Sequence, residues 1–139
     1  MLLLDTNHLR EFGKASAVGQ RLFDRLESSG EEVATIIVCI EEQARGWLAE
    51  IKSAKDEASE IWAYSQYKEH VEVSARWLIL DWDADAARLF RQLRGQGVRI
   101  GTMDLRIACI AMVHDALLLS RNKTDFEKVP GLRFENWLD

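Results

Sequence analysis

Short apolar runs alternate with amphipathic stretches along the chain, and this alternation most constrains how it can fold. Strands are predicted at residues 1–4, 77–80 and 116–120 and at the start of 33–40, with an edge segment near 132–138. The run VATIIVCI is apolar apart from Thr35, as expected of a strand buried on both faces. Strands that alternate with helices predict an α/β fold with a central parallel sheet.

Helices are predicted between these strands. Apolar residues at helical spacing predict one long amphipathic helix over residues 51–70. Three aromatic residues lie on its flank and are interpreted as core or as a subunit contact: Trp62, Tyr64 and Tyr67. Asp83 is placed to cap a second helix, over residues 84–94.

Length and composition limit the classes of protein that remain. A chain of 139 residues fits one domain spanning residues 1–139, and no linker or repeat divides it. Cys39 and Cys109 lie in apolar stretches without metal-ligand spacing, so we expect reduced core cysteines. The sequence shows neither a secretion signal nor a membrane span, which predicts a cytoplasmic protein that does not contact the membrane.

The charge balance argues against a simple basic groove for nucleic acid. The chain has 18 Lys and Arg against 23 Asp and Glu, a net charge of −5. A nuclease is not excluded, because acidic residues gathered at a metal site inflate the negative count. Five cations lie near the acidic motifs and either guide phosphate or form an ordinary solvated face: Arg45, Arg99, Arg106, Arg121 and Lys123.

Four acidic residues stand where an apolar run meets a turn or a helix start: Asp5, Glu42, Asp104 and Asp125. Strands of an open α/β sheet point side chains at such positions into a common crevice, so these acids are expected to converge. Each also has a simpler interpretation. Asp5 and Asp104 could cap helices, Glu42 could favour a helix dipole, and Asp125 could form an Asx-turn.

Convergence would have an electrostatic cost that indicates its purpose. Two carboxylates about 4 Å apart repel by about 4 kcal/mol at an effective dielectric of about 20, and a divalent cation removes that cost. Oxygen ligands without cysteine or paired histidine favour Mg²⁺ or Mn²⁺ over zinc. The chemistry typical of such a site is in-line displacement at phosphorus, with one or two metal ions.

Four motifs in order identify a resemblance: LLLDTN, EQARG, IGTMDLRIA and LSRNKTDFEKVPGL. Together they resemble the PIN domain, especially the VapC-type toxins of bacterial toxin–antitoxin pairs, over nearly the whole chain. The resemblance implies a three-layer α/β/α fold with a central parallel sheet of four to five strands. It also implies an Mg²⁺-dependent ribonuclease that acts on RNA, is inhibited by a partner antitoxin and forms a homodimer.

The same resemblance assigns roles to individual residues. Asp5 and Asp104 match the principal metal ligands, and Glu42 and Asp125 match the acids that complete the set. Four further positions match polar residues that orient the ligands or the scissile phosphate: Thr6, Asn7, Ser120 and Asn122.

Two departures from the family pattern limit this transfer. Glu41 precedes Glu42 where the family has a small or apolar residue, and neighbours on a helix point about 100° apart. We choose Glu42 for its distance to Gly46 and keep Glu41 as the alternative. His8 stands where the family commonly has an aliphatic residue. A histidine there could contact phosphate, but we favour the interpretation as a surface or helix-start histidine.

Two other functions remain to be weighed. A phosphohydrolase of the haloacid-dehalogenase kind also begins with a strand ending in aspartate, but it needs a second aspartate where this chain has Asn7. A PIN fold could also serve as a binding or scaffold module without turnover. The presence of all four acids argues against that alternative.

Overall fold

The computed structural model describes all 139 residues and contains one sheet of five short strands, in the order β3-β2-β1-β4-β5. Every pairing is parallel. The predicted α/β fold with a central parallel sheet is therefore confirmed. The strands are β1 Leu2–Leu4, β2 Val33–Ile36, β3 Ile79–Leu80, β4 Leu117–Leu119 and β5 Phe134–Glu135.

Seven helices connect and cover these strands. Polar side chains start several of them: Asp83 accepts a hydrogen bond from the Ala86 backbone N–H at 2.9 Å, as predicted for that helix. None of the helices combines the length and the apolar character needed to cross a membrane. The helices are α1 Thr6–Phe12, α2 Ala17–Ser29, α3 Ile37–Ser53, α4 Glu57–Ser74, α5 Ala84–Gly95, α6 Thr102–Val113 and α7 Lys123–Phe126.

The central strand β1 separates two apolar cores. Leu3 faces the larger core, which includes most of α6, whereas Leu2 and Leu4 face a smaller core beneath α1 and α2. Successive side chains of a strand point to opposite faces, so a strand covered on both sides must be apolar throughout. Both cysteines are free and buried, as predicted.

The predicted single helix over residues 51–70 is wrong. The chain leaves the helical conformation at Ala54, with ψ of 127°, and Asp56 begins α4 by accepting a hydrogen bond from the Ser59 backbone N–H at 2.7 Å. An aspartate cap inside an otherwise helical pattern is a start signal, and the pattern of apolar residues obscured it.

The aromatic flank of α4 also differs from the core interpretation. Trp62 and Tyr64 are 52% and 56% exposed, and Ile61 is 62% exposed. Only Ala63 and Ser74 of α4 are buried. The apolar face of this helix is therefore not core, and its predicted role as a subunit contact stays a prediction.

Candidate active site

Asp5 lies where the two central strands end. It follows β1 directly, and β4 pairs with β1 so that Leu4 lies beside Leu119. Ser120, the residue after β4, donates its hydroxyl to Asp5 Oδ2 at 2.7 Å. The parallel register therefore places the polar residues of two distant motifs in direct contact.

Asp5 also caps α1, as the simpler interpretation proposed. Its Oδ1 accepts the backbone N–H of Thr6 at 2.7 Å and faces the buried Cys39 thiol, which donates at 3.6 Å. The carboxylate is 7% exposed. Capping and membership of an acidic cluster are compatible here, because the two carboxylate oxygens are bonded on different sides.

Asn122 joins two further carboxylates to this centre. Its side-chain amide donates to Asp104 Oδ2 and to Asp125 Oδ2, each at 3.0 Å, and its backbone N–H donates to Ser120 Oγ at 3.1 Å. A continuous hydrogen-bonded path therefore runs from Asp5 through Ser120 and Asn122 to both acids. All four residues that this path joins to Asp5 are more than 90 positions from it in sequence.

The simpler interpretations fail for Asp104 and Asp125. Gly101 occupies the N-cap of α6, and Asp104 lies in its first turn without capping it. Asn122 caps the short helix α7, and its Oδ1 accepts the Asp125 backbone N–H at 3.4 Å. Neither aspartate side chain is needed to start a helix, so local structure does not explain why carboxylates stand there.

Glu42, and not Glu41, faces the cluster. Thr6 Oγ1 donates to Glu42 Oε2 at 2.7 Å, whereas Glu41 Oε2 accepts from the exposed Arg45 at 2.6 Å. The choice of Glu42 by its distance to Gly46 thus gives the side chain that points inward. Thr6 connects Asp5 and Glu42 through its backbone and its hydroxyl, whereas the half-buried Asn7 makes no side-chain hydrogen bond.

His8 lies in the first turn of α1, as the helix-start interpretation predicts, but the alternative of a surface histidine is wrong. Its side chain is fully buried, and Nε2 accepts the backbone N–H of Trp137 at 3.1 Å. Burial and the nearby Arg121 charge lower the pKa of His8 to about 4. The ring therefore belongs to the packing of the chain's last residues, and the sequence position next to Asp5 gave no signal of that contact.

The negative charges of the cluster are not balanced by positive charges nearby. Burial, together with the charges of Asp5, Glu42 and Asp125, raises the pKa of Asp104 to about 6, against the opposing Asn122 hydrogen bond. Burial also raises the pKa of Glu42, partly offset by Thr6. Lys128 is the one cation within 4.0 Å of any of the four acids, at 3.8 Å from Asp125 Oδ1. The repulsion among the carboxylates is therefore left largely uncompensated.

The donor set is suited to a hard divalent cation. All four candidate ligands offer carboxylate oxygen, and the surrounding hydroxyl and amide groups can orient them. No three of these side chains converge closely enough, as placed, to enclose an ion by themselves. Mg²⁺ does not require such a cage, since it usually binds through one or two carboxylates and keeps several waters.

Comparison with known proteins places this geometry in context. No family model matches the chain. The tRNA(fMet)-specific endonuclease VapC of Shigella flexneri is 38% identical over 63 residues, which cover 42% of this chain and 48% of that protein. The chain spans about half the length of the curated relatives that it matches.

Similarity of fold extends over nearly the whole chain. VapBC2 from Rickettsia felis, solved bound to a DNA fragment from its promoter, superposes with a TM-score of 0.72 at 24% identity and covers 98% of both chains. A toxin–antitoxin complex from Klebsiella pneumoniae gives a TM-score of 0.68 at 22% identity, covering 99% of this chain and 98% of that chain. The resemblance to the PIN domain of VapC-type proteins, which the four motifs indicate, is therefore confirmed in sequence and in fold.

Proposed function

We propose that this chain is a metal-dependent endoribonuclease that hydrolyses RNA phosphodiester bonds and acts as the toxin of a toxin–antitoxin pair. The observation that carries the proposal is the cluster of Asp5, Glu42, Asp104 and Asp125, bonded to one another only through neutral donors. Their unbalanced negative charge is costly unless a cation binds. The similarity to proteins named ribonuclease and endonuclease VapC supports the same reaction.

Asp5 and Asp104 are the principal candidates to hold Mg²⁺ or Mn²⁺, with Glu42 and Asp125 completing the set directly or through water. When bound, the cation would activate a water nucleophile at neutral pH and neutralise charge on the phosphate. Ser120 and Thr6 fix the orientation of Asp5 and Glu42 through their hydroxyls. The side-chain amide of Asn122 donates to both Asp104 and Asp125, which limits the rotation of the two carboxylates.

The expected products are a 5′-phosphate and a 3′-hydroxyl, because water attacks the phosphorus in line with the 3′-oxygen, which leaves as the P–O3′ bond breaks. A 2′,3′-cyclic phosphate would instead show attack by the RNA's own 2′-hydroxyl and would contradict the proposal. The haloacid-dehalogenase alternative is disfavoured further by Asn7, which has no acid group to transfer a proton.

Partners follow from the relatives. The Klebsiella pneumoniae structure is a toxin–antitoxin complex, which supports a cognate antitoxin for this chain. The Shigella flexneri relative is named for initiator tRNA, so tRNA is the first RNA to test. A homodimer is also proposed, and the exposed Trp62 and Tyr64 of α4 are candidate contact residues.

The deciding experiment compares RNA cleavage by the wild type with Mg²⁺, Mn²⁺ or EDTA. The variants are Asp5→Asn and Glu42→Gln, with Glu41→Gln as the matched control for the second. We expect metal-dependent cleavage that falls about 100-fold or more in Asp5→Asn and Glu42→Gln. Glu41→Gln should not lose cleavage, because Glu41 bonds Arg45 outside the cluster.

Circular dichroism confirms that each variant is folded before cleavage is compared. Equal loss in Glu41→Gln and Glu42→Gln would contradict the assignment of Glu42. Folded wild type that binds an antitoxin but cleaves no RNA with any metal would favour the scaffold alternative.

A further inference from the structure

Arg106 lines an open pocket at the same end of the sheet as the acidic cluster. The pocket has a volume of about 500 Å³ and lies between α3, α6 and the segment after β3. Its walls include Ile37, Glu41 and Ala44 from α3 and Trp82 after β3. We call this cavity the Arg106 pocket.

The guanidinium of Arg106 has no hydrogen-bond or ion-pair partner, and its Nε is buried without an acceptor. The guanidinium lies over the ring of Trp82, with its carbon 5.7 Å from the ring centroid. A buried donor without an acceptor costs free energy, so an acceptor is expected to bind there.

Of the other four cations near the acidic motifs, three already have partners and the fourth, Lys123, is exposed. Arg45 donates to Glu41 at 2.6 Å, Arg121 pairs with Asp139 at 3.1 Å, and Arg99 donates to the Arg94 carbonyl at 3.2 Å. Arg106 is thus distinguished from them by being both partly buried and unpaired.

The pocket and the cluster are both built from α3 and α6, and both lie at the carboxyl ends of the strands. Glu41 and Glu42 are neighbours on α3, and Asp104 and Arg106 are two residues apart on α6. Asp5 follows β1 and Trp82 follows β3, with only β2 between these strands. Strands in a sheet lie about 4.8 Å apart, so the pocket is within reach of a nucleotide next to one bound at the cluster.

We propose that the Arg106 pocket binds a nucleotide of single-stranded RNA that flanks the scissile phosphate. Arg106 donates to the phosphate of that nucleotide, and its base packs against Trp82. This inference rests on the proposed function, and it explains how a chain of net charge −5 can hold a polyanion beside four carboxylates. An arginine beside an aromatic ring is a recurrent way to bind a base and its phosphate.

The test measures RNA binding without cleavage. Fluorescence anisotropy follows a labelled single-stranded oligonucleotide binding to full-length protein in EDTA, all in an Asp104→Asn background that removes one negative charge. Added substitutions are Arg106→Gln, Trp82→Leu and the conservative Trp82→Phe. Arg88→Gln is the matched control, since Arg88 is an exposed arginine that pairs with Asp85 on α5.

We expect Arg106→Gln and Trp82→Leu each to raise the Kd about fivefold or more, with Trp82→Phe and Arg88→Gln within about twofold. Arg106→Gln should also reduce the slope of log K against log salt by about 0.7, because one phosphate contact is lost. A uniform Kd in all variants, or no measurable binding in the background protein, would overturn the proposal.

Light scattering and thermal unfolding accompany each titration. A change in oligomeric state in Arg106→Gln would also overturn the proposal, since a second copy of the chain would then be what covers the pocket. Because the readout is binding, a wild type that cleaves no RNA would refute the proposed activity while leaving this test decisive for the pocket.

Discussion

The two sides of the sheet at β1, called here its two flanks, differ in how their charges are balanced. On one flank, the acidic cluster gathers four carboxylates that are joined by hydroxyl and amide donors, with Lys128 the one cation close to any of them. On the other flank, the polar and charged groups of residues 136–139, called here the C-terminal segment, have partners. Arg121 pairs with Asp139, Arg25 lies 3.9 Å from the Trp137 ring centroid, and His8 accepts the Trp137 N–H.

This contrast separates binding from stability. The C-terminal segment buries Leu138 and satisfies its polar groups, so it stabilises the fold without a ligand. The acidic cluster has its polar geometry set but its charge unbalanced, so it lowers stability until a cation binds. Substitutions on the two flanks should therefore change the free energy of unfolding in opposite directions and by different amounts.

The largest effect is expected in the cluster. Asp104→Asn should reduce metal-dependent RNA cleavage about 100-fold or more. In EDTA at pH 7 it should raise the free energy of unfolding by about 1 kcal/mol, after allowance for partial exposure. The folded-state pKa of about 6 lies above the ordinary value, so the stability contributed at low pH is lost as pH rises through 6.

Denaturant unfolding in EDTA at pH 4 and pH 7 measures this effect. The stability difference between Asp104→Asn and the wild type should be larger at pH 7 than at pH 4. A variant that is less stable than the wild type at pH 7 would contradict the account of unbalanced charge.

On the other flank, Leu138→Ala should lower the free energy of unfolding by about 2–4 kcal/mol, because it opens a cavity in the smaller core. Leu138 is buried there with Leu4, Leu22 and Leu119. Cleavage per folded molecule should change little. If folded Leu138→Ala lost as much cleavage as Asp104→Asn, the separation of stability on one flank from binding on the other would be refuted.

His8 makes the C-terminal segment sensitive to acid. A pKa of about 4 lies below the ordinary 6.5, so the unfolded chain binds the proton more tightly. Stability is fully present above pH 6.5 and should fall by about 2–3 kcal/mol as pH falls through 4. His8→Gln removes this titration, and the difference in unfolding free energy between wild type and variant should therefore change with pH. Parallel pH profiles would refute it.

The smallest effect is expected from Asp139→Asn, the same chemical change as in Asp104→Asn but at a balanced position. Asp139 is exposed and pairs with Arg121, so stability should fall slightly, and the loss should vanish at high salt. Thermal unfolding at low and high salt gives the comparison. A stabilisation like that of Asp104→Asn would remove the distinction between the flanks.

Much of the fold could be predicted because it depends on local signals. Apolar runs gave the strands, and Asp83 gave the start of α5. The error at residues 51–70 arose where two helices share one composition and only Asp56 marks the break. His8 was misjudged because its partner, Trp137, is 129 residues away and donates from the backbone, which no sequence pattern records.

The sequence by itself determined the types and the spacing of the chemical groups: four acids at a strand end or in the first two turns of helices, and polar residues beside them. Only the tertiary structure decided which groups meet. Parallel pairing of β1 with β4 brings Ser120 to Asp5, and one amide of Asn122 then connects Asp104 with Asp125. The tertiary structure also decided the orientation of Glu42 and left Arg106 without a hydrogen-bond partner, because both depend on which helix faces pack together.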